Sequence, residues 1–409
     1  MEKARNPAAR AAAEAAARQS YGKLVAYLAA RNRDVASAED ALAEAFAAAL
    51  EQWPRTGAPD NPEAWLLTVA RRKQIDSARK AKRGEAAAPH LHLLAEDMMA
   101  AADGTEHIPD RRLALMFACA HPAIDPAIRT PLILQAVLGL HAASIASAFL
   151  VSPTAMSQRL VRAKTKIKEA GIPFRVPENG ELAERLEAVL EAIYAVYSQG
   201  WSDADGTHDL AHEAIFLGRL MATLMPEEPE VLGLAALMLF AQSRQAARRD
   251  SNGGYVPLSE QDTTLWDRKM IGEAETLLCQ ASDDGRIGRY QLEAAVQSAH
   301  TTRARTGRTD WLAIEALYDG LLTLTGSPVV AINRAIALAE TRGPEAGLAA
   351  LAAAGDVTQY QPYWAAKASL LARVGDMVTA DAAYAQAIGL SADPAVRAFL
   401  QKQRQALRH

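Results

Sequence analysis

An all-α protein is predicted by three observations on this chain of 409 residues. Aromatic residues make up only 6% while alanine is abundant, the composition of packed helices rather than of a β-sandwich. Apolar residues recur at spacings of three and four along several stretches, the period of a half-buried helix. The breaks between those stretches carry helix punctuation, with Ser or Asn before a Pro at one end and Pro or Gly at the other. Half of the residues are apolar and 22% are charged, which is ordinary for a globular protein and excludes a wholly disordered one. At roughly 150 residues per domain, the length suggests two or three.

Charge divides the chain. Residues 1–175 hold 24 Lys and Arg against 18 Asp and Glu, a surplus of 6 positive charges, whereas 176–409 hold 20 against 30, a deficit of 10, which together leave −4. A basic front and an acidic rear call for different partners, with nucleic acid expected for the first. Two cysteines, Cys119 and Cys279, cannot build a disulfide framework and point to a reducing compartment. Glu2 and Glu14, with no apolar run beside them, exclude a secretory leader, so a cytoplasmic protein is expected. The uncharged run Thr130–Gln158 is broken by Gln135, His141, Ser144, Ser147, Ser152 and Pro153, so no membrane partner is expected either.

In chain order, Ser37 and Asp40 form a helix start signal. Leu42, Phe46, Ala49, Leu50 and Trp53 then repeat at helical spacing until Pro54, which is expected to end the helix. Asn61 caps a second helix whose first turn takes Pro62, and which runs to about Arg83. Its second half, residues 71–83, is basic at seven of thirteen positions: Arg71, Arg72, Lys73, Arg79, Lys80, Lys82 and Arg83. Such a helix suits a phosphate backbone, because each neutralised phosphate releases condensed counterions. Trp53 and Trp65 fall in the phase of core packing rather than of stacking platforms. Residues 85–109 read as a linker, and the spacing of His90, His92, His107 and His121 fits no metal site.

Residues 110–173 carry the sharpest local pattern. A helix from Leu132 to about Gly139 precedes another, Ala142–Phe149. Leu150 and Val151 turn, Ser152 caps, Pro153 takes the first helical position, and a long helix continues to about Ala170. Met156, Leu160, Ala163 and Ile167 form its inward stripe, while Gln158, Val161, Arg162 and Thr165 face away, flanked by Ser157 and Arg159. From Arg159 to Lys168 there are five basic residues and no acidic one. Helix, short turn and a capped basic second helix make a helix-turn-helix that can enter a major groove. Val161 on the outward face suits a thymine methyl.

Two segments together resemble region two and region four of bacterial extracytoplasmic-function sigma factors. Region two is carried by Ala38-Glu39-Asp40-Ala41-Leu42-Ala43-Glu44-Ala45-Phe46, by Asn61-Pro62-Glu63-Ala64-Trp65-Leu66-Leu67-Thr68-Val69-Ala70-Arg71 and by Ile75-Asp76. Region four is carried by Ile145–Ser152 and Met156–Lys164, and the order and spacing match as well. The resemblance implies a protein that binds core RNA polymerase and directs promoter-specific initiation, with no catalytic chemistry, cofactor or metal of its own. Asp40 and Glu44 would dock on the β′ clamp helices, with the β flap a further contact. Asn61, Arg71, Arg72, Lys73 and Arg79 would serve the −10 element, where a flipped base needs a pocket and nearby positive charge. Ser157, Gln158, Arg159, Val161, Arg162 and Lys164 would serve the −35 element of promoter DNA; Ser157 stands where many relatives carry Arg, so the preferred sequence is expected to differ.

Behind these regions, Glu181–Gly200 reads as an amphipathic helix through Leu182, Leu186, Val189, Ile193 and Val196. Helices over His208–Met225 and Pro229–Arg248 follow, then an exposed loop at Asp250–Thr264. Two units, Asn333 to Gly343-Pro344 and Lys367 to Gly375-Asp376, place glycines 32 residues apart, near the ~34-residue period of tetratricopeptide helix pairs. Pro394 is expected to end the last unit. Leu220–Glu230, Leu234–Leu239, Trp266-Asp267-Arg268 and Leu317-Tyr318-Asp319 resemble the C-terminal extension of one sigma-factor subgroup. The expected domains are region two at 1–84, a linker at 85–109, region four at 110–173, and a TPR-like helical array at 174–409 that modulates activity through an intramolecular or protein partner. Two alternatives are a stand-alone helix-turn-helix regulator with a sensing array, and an enzyme using His208, His212 and Glu213.

Overall fold

The computed structural model describes residues 7–81, 108–149, 151–202, 210–283, 285–355 and 357–407, with side chains from Ser20 onward and none at 78–81, 147, 148, 179 and 199–202. Among the described residues the regular structure is helical, with one isolated β-bridge between Arg249 and Tyr255. Of the expected linker at 85–109, residues 85–107 lie outside the described residues, as does Leu150. The chain divides into two compact units, Met1–Gly200 with Thr207–Glu213, and Trp201–Gly206 with Ala214–His409.

The front unit opens with α1 (Pro7–Asn32), α2 (Val35–Thr56) and α3 (Pro62–Ala81). Arg33 takes a left-handed turn at φ 53°, and Asp34 rather than Ser37 caps α2 by accepting from the Ser37 amide at 3.0 Å. The helix therefore starts earlier than the Ser37 signal implies. It also runs through Pro54, since a proline in the last turn forfeits a single amide bond, and it ends only when Gly57 donates to Trp53 O. Val35, Ala38, Leu42, Ala45, Ala49 and Trp53 are buried along one face. Trp53 meets Trp65 edge-on at 5.4 Å, the packing role expected of both.

Four further helices follow: α4 (Arg112–Cys119), α5 (Pro126–Leu138), α6 (Ala142–Ala148) and α7 (Pro153–Glu169). Helix α5 begins before Leu132, because Asp125 caps it at the Ala127 amide and Pro131 sits early enough to be tolerated. α7 starts as its sequence predicts, with Ser152 Oγ accepting from the Ala155 amide and Pro153 in the first turn. Helix α1 crosses α5 closely. A Cβ on Gly22 would lie 2.1 Å from Val137 O, and one on Gly139 would lie 2.9 Å from the Tyr21 ring. Helix α8 (Asn179–Ser202) buries Leu186, Val189, Ile193 and Val196. Up to Gly200 it falls in the front unit. Its Arg185 lies over the Phe117 ring and donates to Phe117 O at 2.5 Å.

Helix α9 (Leu210–Leu224) leads into the rear unit, whose pillar is α10 (Pro229–Gln242). Against it pack α11 (Arg268–Ser282) and α12 (Arg289–Thr301). A Cβ on Gly233 would lie 2.7 Å from the Gln291 amide nitrogen, so only glycine allows α10 and α12 to approach this closely. Glu230 caps α12 from α10, accepting from the amides of Tyr290 and Gln291 at 3.0 and 3.1 Å. The segment 249–266 is less exposed than expected. Arg249 pairs with Asp393 at 2.5 Å, Tyr255 packs edge-on against Phe399, and Arg303 holds the carbonyls of Ser259 and Gln261 while covering Trp266.

After the single turn α13 (Arg303–Thr306) come α14 (Trp311–Thr325), α15 (Pro328–Arg342), α16 (Pro344–Ala352), α17 (Gln361–Arg373), α18 (Met377–Leu390) and α19 (Pro394–Ala406). Two consecutive helix pairs stand where the two repeated units were expected: α15 with α16 about Gly343 at φ 95°, and α17 with α18 before which Gly375 takes φ 86°. Ala335, Ala339 and Gly347 meet at the first crossing; Ala368, Ala380, Ala383 and Ala387 fill the second. Pro394 starts α19, capped by Asp393, instead of ending a unit.

Candidate nucleic-acid interface

Helix α7 supplies the clearest outward surface. Met156, Leu160, Ala163 and Ile167 are buried, which turns Ser157, Gln158, Arg159, Val161 and Arg162 to solvent. Val161 is 61% exposed, an apolar side chain set among polar ones. Arg159, Arg162 and Lys166 line an open cleft of about 450 Å³ with Ile124, Asp125 and Ile128 at the start of α5. Positive charge there sits beside the exposed polar side chains of Ser157 and Gln158.

Lys164 does not join that surface. It is 8% exposed and its ammonium pairs with Glu39 of α2. It lies four residues after Leu160 and three before Ile167, so helical phase itself turns it inward. The Glu39 carboxyl is pushed above the usual carboxylate range, chiefly by burial, with Lys164 pulling it down and Asp40 adding to the push. Burial also raises the neighbouring Tyr21 hydroxyl and Cys119 thiol, and the Glu39 charge adds to both. Two exposed contacts extend the junction: Lys168 pairs with Asp34 at 2.7 Å, and Arg33 donates to Gly171 O at 3.2 Å.

The −10 candidates on α3 separate in the same way. Arg72 is exposed. Arg71 is half-buried, lies 5.1 Å over the Tyr27 ring and donates to the Tyr27 hydroxyl at 2.6 Å, so it is a packing residue rather than a free contact. It falls four residues after Leu67 and four before Ile75, both buried. Asn61 is exposed, but its side-chain oxygen is spent capping α3 at the Ala64 amide. Lys73 pairs at 3.0 Å with Glu44, one of the two polymerase candidates. The side chain of Arg79 lies outside the described residues. Asp40 and Glu44 are exposed on α2 and line a groove of about 650 Å³ with Asp34, Gln74, Lys164 and Lys168. Sequence reasoning missed Tyr27, Arg33, Asp34 and Glu39, whose roles come from contacts far apart in the chain.

Among the described residues no group of three His, Cys, Asp or Glu is placed to hold a metal ion. His208 lies outside them, and His212 is exposed on α9 beside Glu213. No helix among the described residues is long and apolar enough to cross a membrane.

Residues 17–84 match the Sigma-70 region 2 family, which covers α2, α3 and most of α1. This match supports a sigma factor, with a role in RNA polymerase binding and transcription initiation. Residues 185–282 match a family of unknown function, DUF6596. An uncharacterized protein of Rhizobium meliloti (strain 1021) is 41% identical over 396 residues, a span of 94% of this chain and 92% of that protein. The chain belongs to the same family as that protein. No solved structure matches the chain.

Proposed function

We propose that the chain is a sigma factor of the extracytoplasmic-function type, whose α6–α7 segment is the helix-turn-helix that reads the −35 element. The observation that carries this is the outward face of α7. Its capped N-terminal turns offer Ser157, Gln158, Arg159, Val161 and Arg162 to solvent, in a chain whose residues 17–84 match Sigma-70 region 2. Arg159 and Arg162 are suited to guanine edges or phosphates, Gln158 to adenine and Val161 to a thymine methyl. Within region 2, Arg72 is an exposed cation for the melted −10 element, with Lys73 joining it once its surface pair with Glu44 gives way. Asp40 and Glu44 form the acidic face for the β′ clamp helices. Lys164, Arg71 and the capped Asn61 support these surfaces from behind.

The rear unit is proposed to be a TPR-like array that modulates this activity, in a chain that is acidic over 176–409 and basic over 1–175. The protein then acts where its polymerase does, in the cytoplasm. Reconstitution with bacterial core RNA polymerase tests the assignment. Co-purification with the core and RNA synthesis from a defined start on selected promoter DNA are expected. A chain that binds DNA tightly but never core polymerase would instead be a stand-alone regulator.

A further inference from the structure

The cleft between α5 and α7 holds more than a groove reader needs. Arg159, Arg162 and Lys166 line it, and among the described residues none of these three side chains enters an ion pair. Lys164 and Lys168 on the same helix are both taken, by Glu39 and Asp34. At about 100° per residue the three free cations fall within ~60° of one another, and their centre lies ~100° round α7 from that of Gln158, Val161 and Thr165. Helical phase thus gives α7 two exposed faces, one pointing outward and one bent toward the start of α5. The second face has an apolar floor. Ile124, Ile128 and Ala163 are buried beneath it, with Ala123 and Ala127 exposed at its margin. A phosphate backbone calls for cations alone and makes no use of such a floor.

We propose that this cleft binds a nucleoside diphosphate, with the phosphates on Arg159, Arg162 and Lys166 and the base on the apolar floor. Its volume of about 450 Å³ suits a ligand of that size. Three cations face one carboxylate, that of Asp125, which leaves the lining positive by two charges. The start of α5, a helix of 13 residues, adds the positive end of its dipole. One oxygen of Asp125 accepts from the Ala127 amide at 2.9 Å, and the other can accept from a sugar hydroxyl. Promoter DNA and the nucleotide both draw on Arg159 and Arg162, so each excludes the other. That competition, unlike the binding, rests on the assignment of α7 to the −35 element.

Calorimetric titration of the full chain with ADP tests the site, with pyrophosphate and adenosine as separate arms. ADP should bind at one site per chain, and the other two at least about tenfold more weakly, because each meets only half of the lining. Lys166→Ala should weaken ADP about tenfold, the loss of one charged hydrogen bond. Ala127→Glu sets a second carboxylate on the lining, at a helix start that favours one, and should abolish the heat while thermal unfolding stays in place. ADP should also displace a fluorescent promoter fragment from the wild type, and far less from Lys166→Ala. Pyrophosphate binding as tightly as ADP would overturn the proposal, since the floor would then play no part. ADP affinity unchanged in both variants would overturn it as well. Should ADP bind and both variants respond while the promoter fragment stays in place, the nucleotide site stands and the −35 assignment of α7 falls.

Discussion

Helix α7 in the front unit and helix α10 in the rear unit put their residues to opposite uses. Of the 14 residues of α10, 12 are buried, so it has almost no surface to offer a partner. Of the 17 residues of α7, five are buried, and the rest form a basic face in which Val161 stands exposed. The first is the pillar around which its unit packs. The second has been held back from the core of its unit. The two units are otherwise built alike: each has close small-residue crossings, Gly22 on Val137 in the front and Gly347 on Ala339 in the rear, and each ties its elements with charge, as in Lys164–Glu39 and Arg249–Asp393. Burial thus marks what a unit needs for itself, and exposed patterned charge marks what it keeps for others.

The comparison breaks most easily at Gly233. Gly233→Leu must push α12 off α10, and a loss of ~3 kcal/mol in the rear unit's urea unfolding is expected, with the front unit's transition unmoved. A full-chain transition shifted as one would show that the units do not behave separately. On the front side, Arg162→Ala should leave thermal unfolding unchanged yet cost ~1–3 kcal/mol of preference for promoter over random DNA, read by competition binding. Equal loss on both DNAs would reduce Arg162 to a phosphate contact. Asp34→Ala removes the α2 cap and should cost about 1 kcal/mol of front-unit stability in the same urea experiment.

Opposite pH responses sharpen the contrast further. His300, half-buried and edge-on against Trp311, has its pKa lowered to about 4, first by desolvation and then by the charges of Arg244 and Arg303. Its contribution to the rear unit is therefore full above the ordinary value near 6.5 and lost as pH falls through about 4. His300→Phe should flatten that acid slope. Glu39, facing Lys164, Asp40, Tyr21 and Cys119, has its pKa raised, so its contribution is full below the ordinary carboxylate value and lost as pH rises through the raised one. Wild type should lose stability relative to Glu39→Gln as pH climbs. The smallest effect belongs to Lys73→Ala: its surface pair with Glu44 is worth at most ~0.5 kcal/mol, so stability should barely change in thermal unfolding.

The sequence made α7 legible because everything that shapes it is local: a Ser-Pro start, a stripe at three- and four-residue spacing, and basic residues between. The same rule, applied to every charge, would have turned Lys164 and Arg71 inward. Each stands at helical spacing from two buried apolar residues, and a count of basic residues carries no information on phase. Helix α4 was not singled out because Leu113–Ala120 is buried without interruption and so shows no period. The pinning of the 249–266 segment was illegible for another reason: its partners Arg303 and Asp393 come from distant parts of the chain, and nothing in an Asn-Gly-Gly turn names them. The two glycines 32 residues apart, Gly343 and Gly375, both take positive φ where the chain reverses, a role readable from the residue type alone.

The clasp between Arg249 and Asp393, backed by Tyr255 on Phe399, carries a consequence for how the rear unit comes apart. A simple stack of hairpins can unravel from its last turn inward, one layer at a time. Here the tail is buttoned to the base, so peeling it also frees the belt at 249–266 and uncovers the pillar behind. Trimming the 17 residues from Asp393 onward should therefore weaken the whole rear body rather than shorten it.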